Sequence, residues 1–284
     1  MKTIILGLIS TLALSAAVAA QDGPQRIVAI GGSLTEIVYA LGEEDRLIAR
    51  DTTSVFPGEA LALPDVGYMR ALSPEGVLSV DPDLILTLDG AGPPEAMEVI
   101  RSASVPVVTV PESFDREGVL AKVEAVGKAL GVEKEAAELA MRIDADLQTA
   151  EDAVADIDDP ARVLFILSME GGRVMASGTG TAADGMIRLA GGENAITDYP
   201  GYKQLTDEAI ITAAPDVILM MNRGGNLDPT PVDLSTQPAL AATPAAEAGR
   251  VIRMDGAFLL GFGPRTADAA KDLAAALYDD APAD

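Results

Sequence analysis

An internal repeat is the sequence feature that most constrains the fold. Residues 72–86 align without a gap with residues 205–219, and six of the fifteen positions are identical. In each copy a Ser or Thr N-cap precedes a short helix with Glu in its first turn, Pro-Asp ends the helix, and an apolar strand follows. A repeat at about half the chain length predicts two lobes of like topology.

Apolar, β-branched runs alternate with helix-forming segments in the first half of the chain. They lie at residues 26–30, 47–50, 84–88 and 105–110. This alternation predicts parallel β/α units. The turn Gly31-Gly32-Ser33 after the first run lacks the full dinucleotide fingerprint and the P-loop lysine, so it favours a tight turn beside a cleft over a nucleotide site.

Between the two repeats lies a segment with strong helix propensity. Residues 133–155 contain no Pro and no Gly, and a helix of about 23 residues is about 35 Å long at about 1.5 Å per residue. We therefore predict an α/β fold of two Rossmann-like lobes with central parallel sheets and a ligand cleft between them. The lobes are residues 21–132 and 158–284, and one long connecting helix spans 133–157.

The first twenty residues have the pattern of a secretory signal peptide. Lys2 supplies the positive charge, residues 4–14 are apolar, and small residues end the segment at Ala20. A membrane anchor is the alternative, but the apolar run is shorter than the about 20 residues that a bilayer span needs. We therefore predict that residues 1–20 are removed and that the mature chain is not inserted in a membrane.

The chain contains no His, Cys or Trp. This excludes Ser-His-Asp triads, Cys nucleophiles, zinc sites with nitrogen or sulfur ligands, and haem held by imidazole or thiolate. A metal must be held by oxygen or by thioether. The formal charge of −24 becomes −25 without Lys2, so we expect a monomer that does not bind nucleic acid.

Four segments resemble the periplasmic haemin-binding proteins of haem ABC importers, a branch of the substrate-binding proteins for iron complexes and cobalamin. They are residues 63–79, with the block Gly-Tyr-x-Arg-x-Leu-Ser, and residues 178–192, 220–225 and 259–266. The resemblance extends over essentially the whole mature chain. It implies a periplasmic protein without catalytic activity that captures haem b and delivers it to an inner-membrane ABC importer.

The resemblance implies that Tyr68 is the axial ligand of the haem iron. Ferric iron prefers an anionic oxygen, and a phenolate is a known proximal haem ligand. Because a free Tyr titrates near 10, a cation should lie beside it, and the resemblance assigns this role to Arg223. Arg70 and Arg173 are further candidates, as partners of Tyr68 or as contacts of the haem propionates. Packing at a lobe edge is the structural alternative for Tyr68.

Two loop tyrosines, Tyr199 and Tyr202, are candidates to line the cleft, or else they cover the edge of a core. Some members of the resembled family carry a His near residues 169–173. This chain has none, so a second protein ligand or a stacked second haem stays open.

Glu75 and Glu208 occupy the same position in the two repeats. The resemblance implies that they dock onto arginines of the two permease subunits, which suits electrostatic steering. The alternative is that each carboxylate merely stabilises the first turn of its helix.

Three other functions are compatible with the sequence. The same fold could carry a ferric siderophore, which favours several cleft arginines, or cobalamin, which does not need Tyr68. Paired carboxylates could serve a secreted enzyme, although no pair stands out by spacing. A carrier of non-haem ferric iron could use Tyr199 and Tyr202.

Overall fold

The computed structural model describes residues 23–222, 234 and 237–278, so the predicted signal peptide lies outside the described residues. The strands are β1 (Ile27–Ile30), β2 (Leu47–Arg50), β3 (Leu84–Leu88), β4 (Val107–Val110), β5 (Arg162–Glu170), β6 (Arg173–Ser177), β7 (Glu193–Asn194), β8 (Tyr202–Gln204), β9 (Val217–Asn222) and β10 (Val251–Asp255). The helices are α1 (Gly32–Ala40), α2 (Pro74–Leu78), α3 (Pro94–Ser102), α4 (Arg116–Leu130), α5 (Glu133–Val154), α6 (Ala182–Leu189), α7 (Asp207–Ala213), α8 (Pro238–Ala241), α9 (Pro244–Glu247), α10 (Gly256–Leu260) and α11 (Thr266–Tyr278).

The first lobe contains a parallel sheet with the strand order β2-β1-β3-β4. Ile27 of β1 pairs with Leu47 on one side and with Leu84 on the other, so the predicted strands lie in one sheet. Strand β1 is buried along its whole length, as expected for a central strand covered on both faces by helices. The prediction of parallel β/α units is confirmed for this lobe.

The second lobe contains a mixed sheet with the order β10-β9-β5-β6-β8, and β7 also pairs with β5. Strands β10, β9 and β5 run parallel, whereas β6 and β8 are antiparallel to their neighbours. The prediction of a central parallel sheet is therefore confirmed for this lobe too, but the sheet also has an antiparallel edge that the sequence did not predict. The physical reason is a β5–β6 hairpin, in which Gly171 and Gly172 adopt positive φ of 57° and 80°, as tight hairpin turns require.

Both repeat helices begin as the sequence predicts. The Ser73 hydroxyl accepts a hydrogen bond from the Gly76 amide at the start of α2. The Thr206 hydroxyl accepts one from the Ala209 amide at the start of α7. Each cap satisfies a donor that the first turn of a helix leaves unpaired.

The Asp of each Pro-Asp pair joins the repeat to a neighbouring strand. Asp83 accepts a 2.9 Å hydrogen bond from the Arg26 amide beside β1, and Asp216 accepts one of 2.9 Å from the Arg162 amide in β5. Each arginine side chain in turn donates to a backbone carbonyl at the end of the repeat helix. The sequence repeat is therefore a repeat of contacts as well.

The long helix α5 ends at Val154, three residues before the predicted end of the connecting segment. It buries a helically spaced stripe that packs against α4 of the first lobe and α11 at the end of the chain. The stripe consists of Ala136, Leu139, Ala140, Ile143, Leu147 and Ala150. One continuous hydrophobic cluster, the main core, includes this stripe and residues of both sheets. A smaller cluster, the outer core, covers the other face of the second sheet.

Among the described helices, none combines the length and the hydropathy that crossing a bilayer requires.

Candidate ligand-binding cleft

Tyr68 lies at the carboxyl edge of the first sheet. After β2, the segment that leads to Tyr68 runs alongside the strand end, with a parallel bridge between Arg50 and Asp65. The Thr52 amide donates a 3.0 Å hydrogen bond to the Gly67 carbonyl. In open α/β sheets the crevice beyond the carboxyl ends of the strands is where ligands bind.

Arg70 contacts the Tyr68 phenol directly. Its Nη1 donates a 2.9 Å hydrogen bond to Tyr68 Oη. Met69, between these two residues, is buried, whereas Tyr68 is 43 % exposed. This alternation of exposed and buried residues places the phenol of Tyr68 and the guanidinium of Arg70 on the solvent side. A guanidinium at this distance stabilises negative charge on the oxygen.

A buried carboxylate that sequence reasoning missed holds the loop beside Tyr68. Asp51 is fully buried. It accepts hydrogen bonds from the Gly31 amide at 3.1 Å, the Thr53 amide at 3.1 Å and the Ser54 hydroxyl at 2.8 Å. The signal for it was the run Asp-Thr-Thr-Ser directly after a buried strand, which is typical of side chains that bond their own turn.

The glycine turn after β1 has the structural role that the sequence predicts. Gly31 adopts a φ of 127°, and a Cβ there would lie 2.5 Å from the Leu88 side chain. A Cβ on Gly32 would lie 2.8 Å from the Thr53 carbonyl oxygen. The glycines therefore permit close packing of three chain segments at the edge of the cleft.

Tyr202 belongs to the face of the second sheet that packs on the main core. It pairs with Ser177 across β8 and β6, and its ring meets Phe165 edge to face with centroids 6.5 Å apart. Burial raises the pKa of Tyr202, while Thr181 and Arg70 act in the opposite direction. The raised pKa favours the neutral phenol of Tyr202 over a phenolate.

Two methionines pack beside this face at the carboxyl ends of β9 and β10. Met221 and Met254 are register partners, half-buried, and packed against the main core. Together with Tyr202, which is 38 % exposed above the fully buried Phe165, they make this wall apolar and polarisable, properties that suit a flat aromatic ligand.

Tyr199 lies on the opposite face of the sheet from Tyr202. It packs against the outer core, its hydroxyl donates to the Ala176 carbonyl at 3.3 Å, and Lys203 Nζ lies 4.8 Å from its ring centroid. Burial raises the pKa of Tyr199. This position favours the structural alternative for Tyr199, in which the ring covers the edge of a core, over a place in the cleft.

Arg173 makes no described contact with Tyr68. Arg173 is exposed at the start of β6, paired in register with Glu170, and its side chain makes no hydrogen bond to a described residue. Arg223 lies outside the described residues.

A fully buried lysine joins the lobes beneath the cleft. Lys122 of α4 donates to Ser33 Oγ at 3.2 Å, to Glu112 Oε1 at 3.2 Å and to the Phe262 carbonyl, in the second lobe, at 3.1 Å. Burial lowers the pKa of Lys122, while Glu112 opposes this effect. The sequence signal was a Lys in the apolar stripe of α4, where a hydrophobic side chain is the norm.

Glu75 and Glu208 are both exposed in the first turns of α2 and α7. Neither forms a salt bridge with a described residue, so both carboxylates are accessible in the two lobes.

The two-lobed α/β fold defines a binding protein of the class that has its ligand cleft between the lobes. The sequence profile of the periplasmic binding protein family matches residues 27–257, and the chain belongs to that family. Its members are substrate-binding transport proteins of ABC importers.

Three similar proteins cover most of this chain. The periplasmic haem-binding protein BhuT, solved with two haems, is 44 % identical with a TM-score of 0.82, covering 89 % of this chain and 98 % of that one. RhuT of Roseiflexus sp. RS-1, a periplasmic haem-binding protein solved in apo form, is 37 % identical with a TM-score of 0.85, covering 90 % and 99 %. The ABC transporter substrate-binding lipoprotein YvrC of Bacillus subtilis is 28 % identical over 90 % of this chain and 81 % of its own.

A vitamin B12-binding protein of Yersinia pseudotuberculosis is a more distant relative, 24 % identical over 80 % of this chain and 78 % of its own. The resemblance to haem-binding members and the two-lobed α/β fold are thus confirmed.

Proposed function

We propose that this protein captures haem in the periplasm and delivers it to an ABC importer, with no catalysis of its own. The observation that carries the proposal is the exposed Tyr68 phenol with the Arg70 guanidinium 2.9 Å away. An arginine-stabilised phenolate is a hard anionic oxygen donor, the type that ferric haem iron accepts in a chain without His or Cys.

The second lobe supplies the complementary surface. The porphyrin of haem b would lie between Tyr68 and the wall formed by Tyr202, Met221 and Met254. In this proposal Arg70 is the partner of Tyr68, and Arg173 forms an ion pair with a haem propionate. Arg223 stays a proposed partner on the resemblance alone, because it lies outside the described residues.

Delivery of haem to the importer would depend on the two exposed glutamates that occupy equivalent positions in the sequence repeats. Glu75 and Glu208 present one carboxylate from each lobe, which fits a permease dimer with one basic site on each subunit. In the mature monomer, after removal of residues 1–20, the lobes 21–132 and 158–284 would each contribute one docking point, and the connecting segment 133–157 would hold them apart.

A haemin titration followed by visible absorption tests the proposal. The mature protein should give a saturable Soret shift with a high-spin tyrosinate charge-transfer band, and Tyr68→Phe should lose both. Tyr199→Phe is the matched control, because it removes a phenol hydroxyl from the outer core. Saturable binding that is unchanged in Tyr68→Phe would discard Tyr68 as the ligand, and no saturable binding at micromolar haemin would reject haem as the cargo.

Cobalamin is the second candidate, because a curated relative binds vitamin B12. Its cobalt does not need a phenolate, so cobalamin binding should be indifferent to Tyr68→Phe. Adding cobalamin, and separately a ferric siderophore, as competitors in the same titration distinguishes the cargoes. If either compound displaced haemin at comparable concentration, that compound and not haem would be identified as the cargo.

A further inference from the structure

Arg265 ties the second lobe to a buried acid of the first. Its Nε donates to Glu36 Oε2 at 2.9 Å and its Nη2 to Glu36 Oε1 at 2.6 Å, although the two residues are 229 positions apart. The Glu36 side chain is 7 % exposed and that of Arg265 is 25 % exposed. A two-pronged pair of this kind fixes direction as well as distance, because both hydrogen bonds must be satisfied together.

The same guanidinium supports an aromatic ring from each lobe. The Arg265 Cζ lies 3.7 Å from the ring centroid of Phe56, in the first lobe, and 5.1 Å from that of Phe258, in the second. Phe56 is 43 % exposed and lies in the loop that Asp51 anchors beside Tyr68. Arginine stacks well on aromatic faces, so Arg265 determines where this exposed ring stands at the rim of the cleft.

Neighbouring contacts reinforce this tie. Phe262, three residues before Arg265, is 1 % exposed and meets Phe114 edge to face with centroids 5.3 Å apart. The Phe262 carbonyl also accepts the hydrogen bond from the Lys122 ammonium that was described above. A Cβ on Gly263 would lie 3.2 Å from Ser33 Cβ. The segment 262–265 is thus inserted into the first lobe at the floor of the cleft.

We propose that Arg265 is a positioning residue that sets the opening of the cleft before any ligand arrives, by locking the second lobe onto Glu36 and holding Phe56 at the rim. This goes beyond the identity of the cargo. Removing either Glu36 or Arg265 leaves the charge of the other without its partner in an interface that is largely shielded from water. Losing such a pair destabilises the contact between the lobes more than losing a solvent-exposed ion pair would. The lobes should then separate and sample a wider range of distances in the ligand-free protein.

Spin labels can measure the distance between the lobes. Since the chain has no Cys, Val99→Cys in α3 and Ile211→Cys in α7 give two unique labelling sites, at side chains 54 % and 55 % exposed. Double electron–electron resonance on the ligand-free protein then compares the parent with Arg265→Gln and Glu36→Gln. The expected result for both variants is a longer mean separation and a broader distribution.

Arg116→Gln is the matched control. The Arg116 side chain is 22 % exposed and pairs with Asp144 and Glu151 of α5, so it is a comparable ion pair that does not reach segment 262–265. Broadening in the Arg265 and Glu36 variants but not in the Arg116 variant supports the proposal. Equal broadening in all three, or an unchanged distribution in Arg265→Gln with circular dichroism intact, overturns it. Neither result depends on whether haem is the cargo.

Discussion

The Arg70 guanidinium donates a 2.9 Å hydrogen bond to the phenol of Tyr68, two residues earlier in the same turn. The cation that accompanies the proposed iron ligand is therefore local and needs no movement of the second lobe.

Replacing Arg70 should weaken haem binding without abolishing it. In Arg70→Gln the phenolate loses a charge-assisted hydrogen bond, so we expect haemin affinity to fall about tenfold. Visible titration measures the change, and Arg142→Gln serves as the control because Arg142 is exposed on α5 and has no proposed role in the cleft. Equal losses in the two variants would mean that Arg70 acts only through long-range charge.

Replacing Asp51 should destabilise the protein and the rim of the cleft together. Asp51→Ala leaves the buried Gly31 amide and the half-buried Thr53 amide without their acceptor, which costs about 2–4 kcal/mol of unfolding free energy. Urea denaturation measures the loss. The control is Asp45→Ala at an exposed position, where a change of about 0.5 kcal/mol or less is expected. Similar midpoints for the two variants would contradict the anchoring role.

Lys122 predicts a specific pH dependence of stability. Burial lowers its pKa in the folded state, so between that depressed value and the unfolded value of about 10.4 the unfolded chain binds more protons. The free energy of unfolding of the native protein, relative to that of Lys122→Met, should therefore rise with pH through this window. Urea denaturation from neutral pH upwards measures the difference.

Lys128→Met is the control for this experiment, because Lys128 is exposed on the same helix. The native protein and this control should show parallel pH profiles. If the difference in unfolding free energy between the native protein and Lys122→Met did not change with pH, the buried ammonium would not lose its proton in this range.

The two repeat aspartates should contribute to stability in the same way but to different extents. Asp83→Ala removes the acceptor of two exposed backbone hydrogen bonds, from the Gln25 amide at 2.8 Å and the Arg26 amide at 2.9 Å, whereas Asp216→Ala removes the acceptor of one part-buried bond of 2.9 Å. Because Asp83 is exposed and Asp216 is half-buried, we expect losses of about 1 and about 2 kcal/mol respectively. Denaturation midpoints measure both, and a larger loss at Asp83 would refute the ordering.

Features set by local sequence were predictable. The strands of the first sheet, the caps at Ser73 and Thr206 and the long helix from Glu133 follow from periodicity and capping chemistry, which neighbouring residues determine. The hairpin at Gly171 and Gly172 could have been anticipated from its turn residues, but it was not, and so the antiparallel half of the second sheet was missed.

Contacts between distant parts of the chain were not predictable. The Glu36–Arg265 pair spans 229 positions, and nothing near either residue in the sequence indicates the other. Tyr199 and Tyr202 are indistinguishable as loop aromatics, and only strand pairing in β8 shows that they lie on opposite faces. Side-chain placement across a sheet or between lobes depends on tertiary packing, which spacing does not encode.

The main core passes from the first sheet along α5 into the second sheet without a break. Each lobe therefore completes part of the interior of the other, and only the outer core belongs to the second lobe alone. A gene fragment that encodes one lobe without α5 would expose a long apolar seam. We therefore expect the two lobes to fold as a single unit, and a flexible linker in place of α5 to leave this seam uncovered.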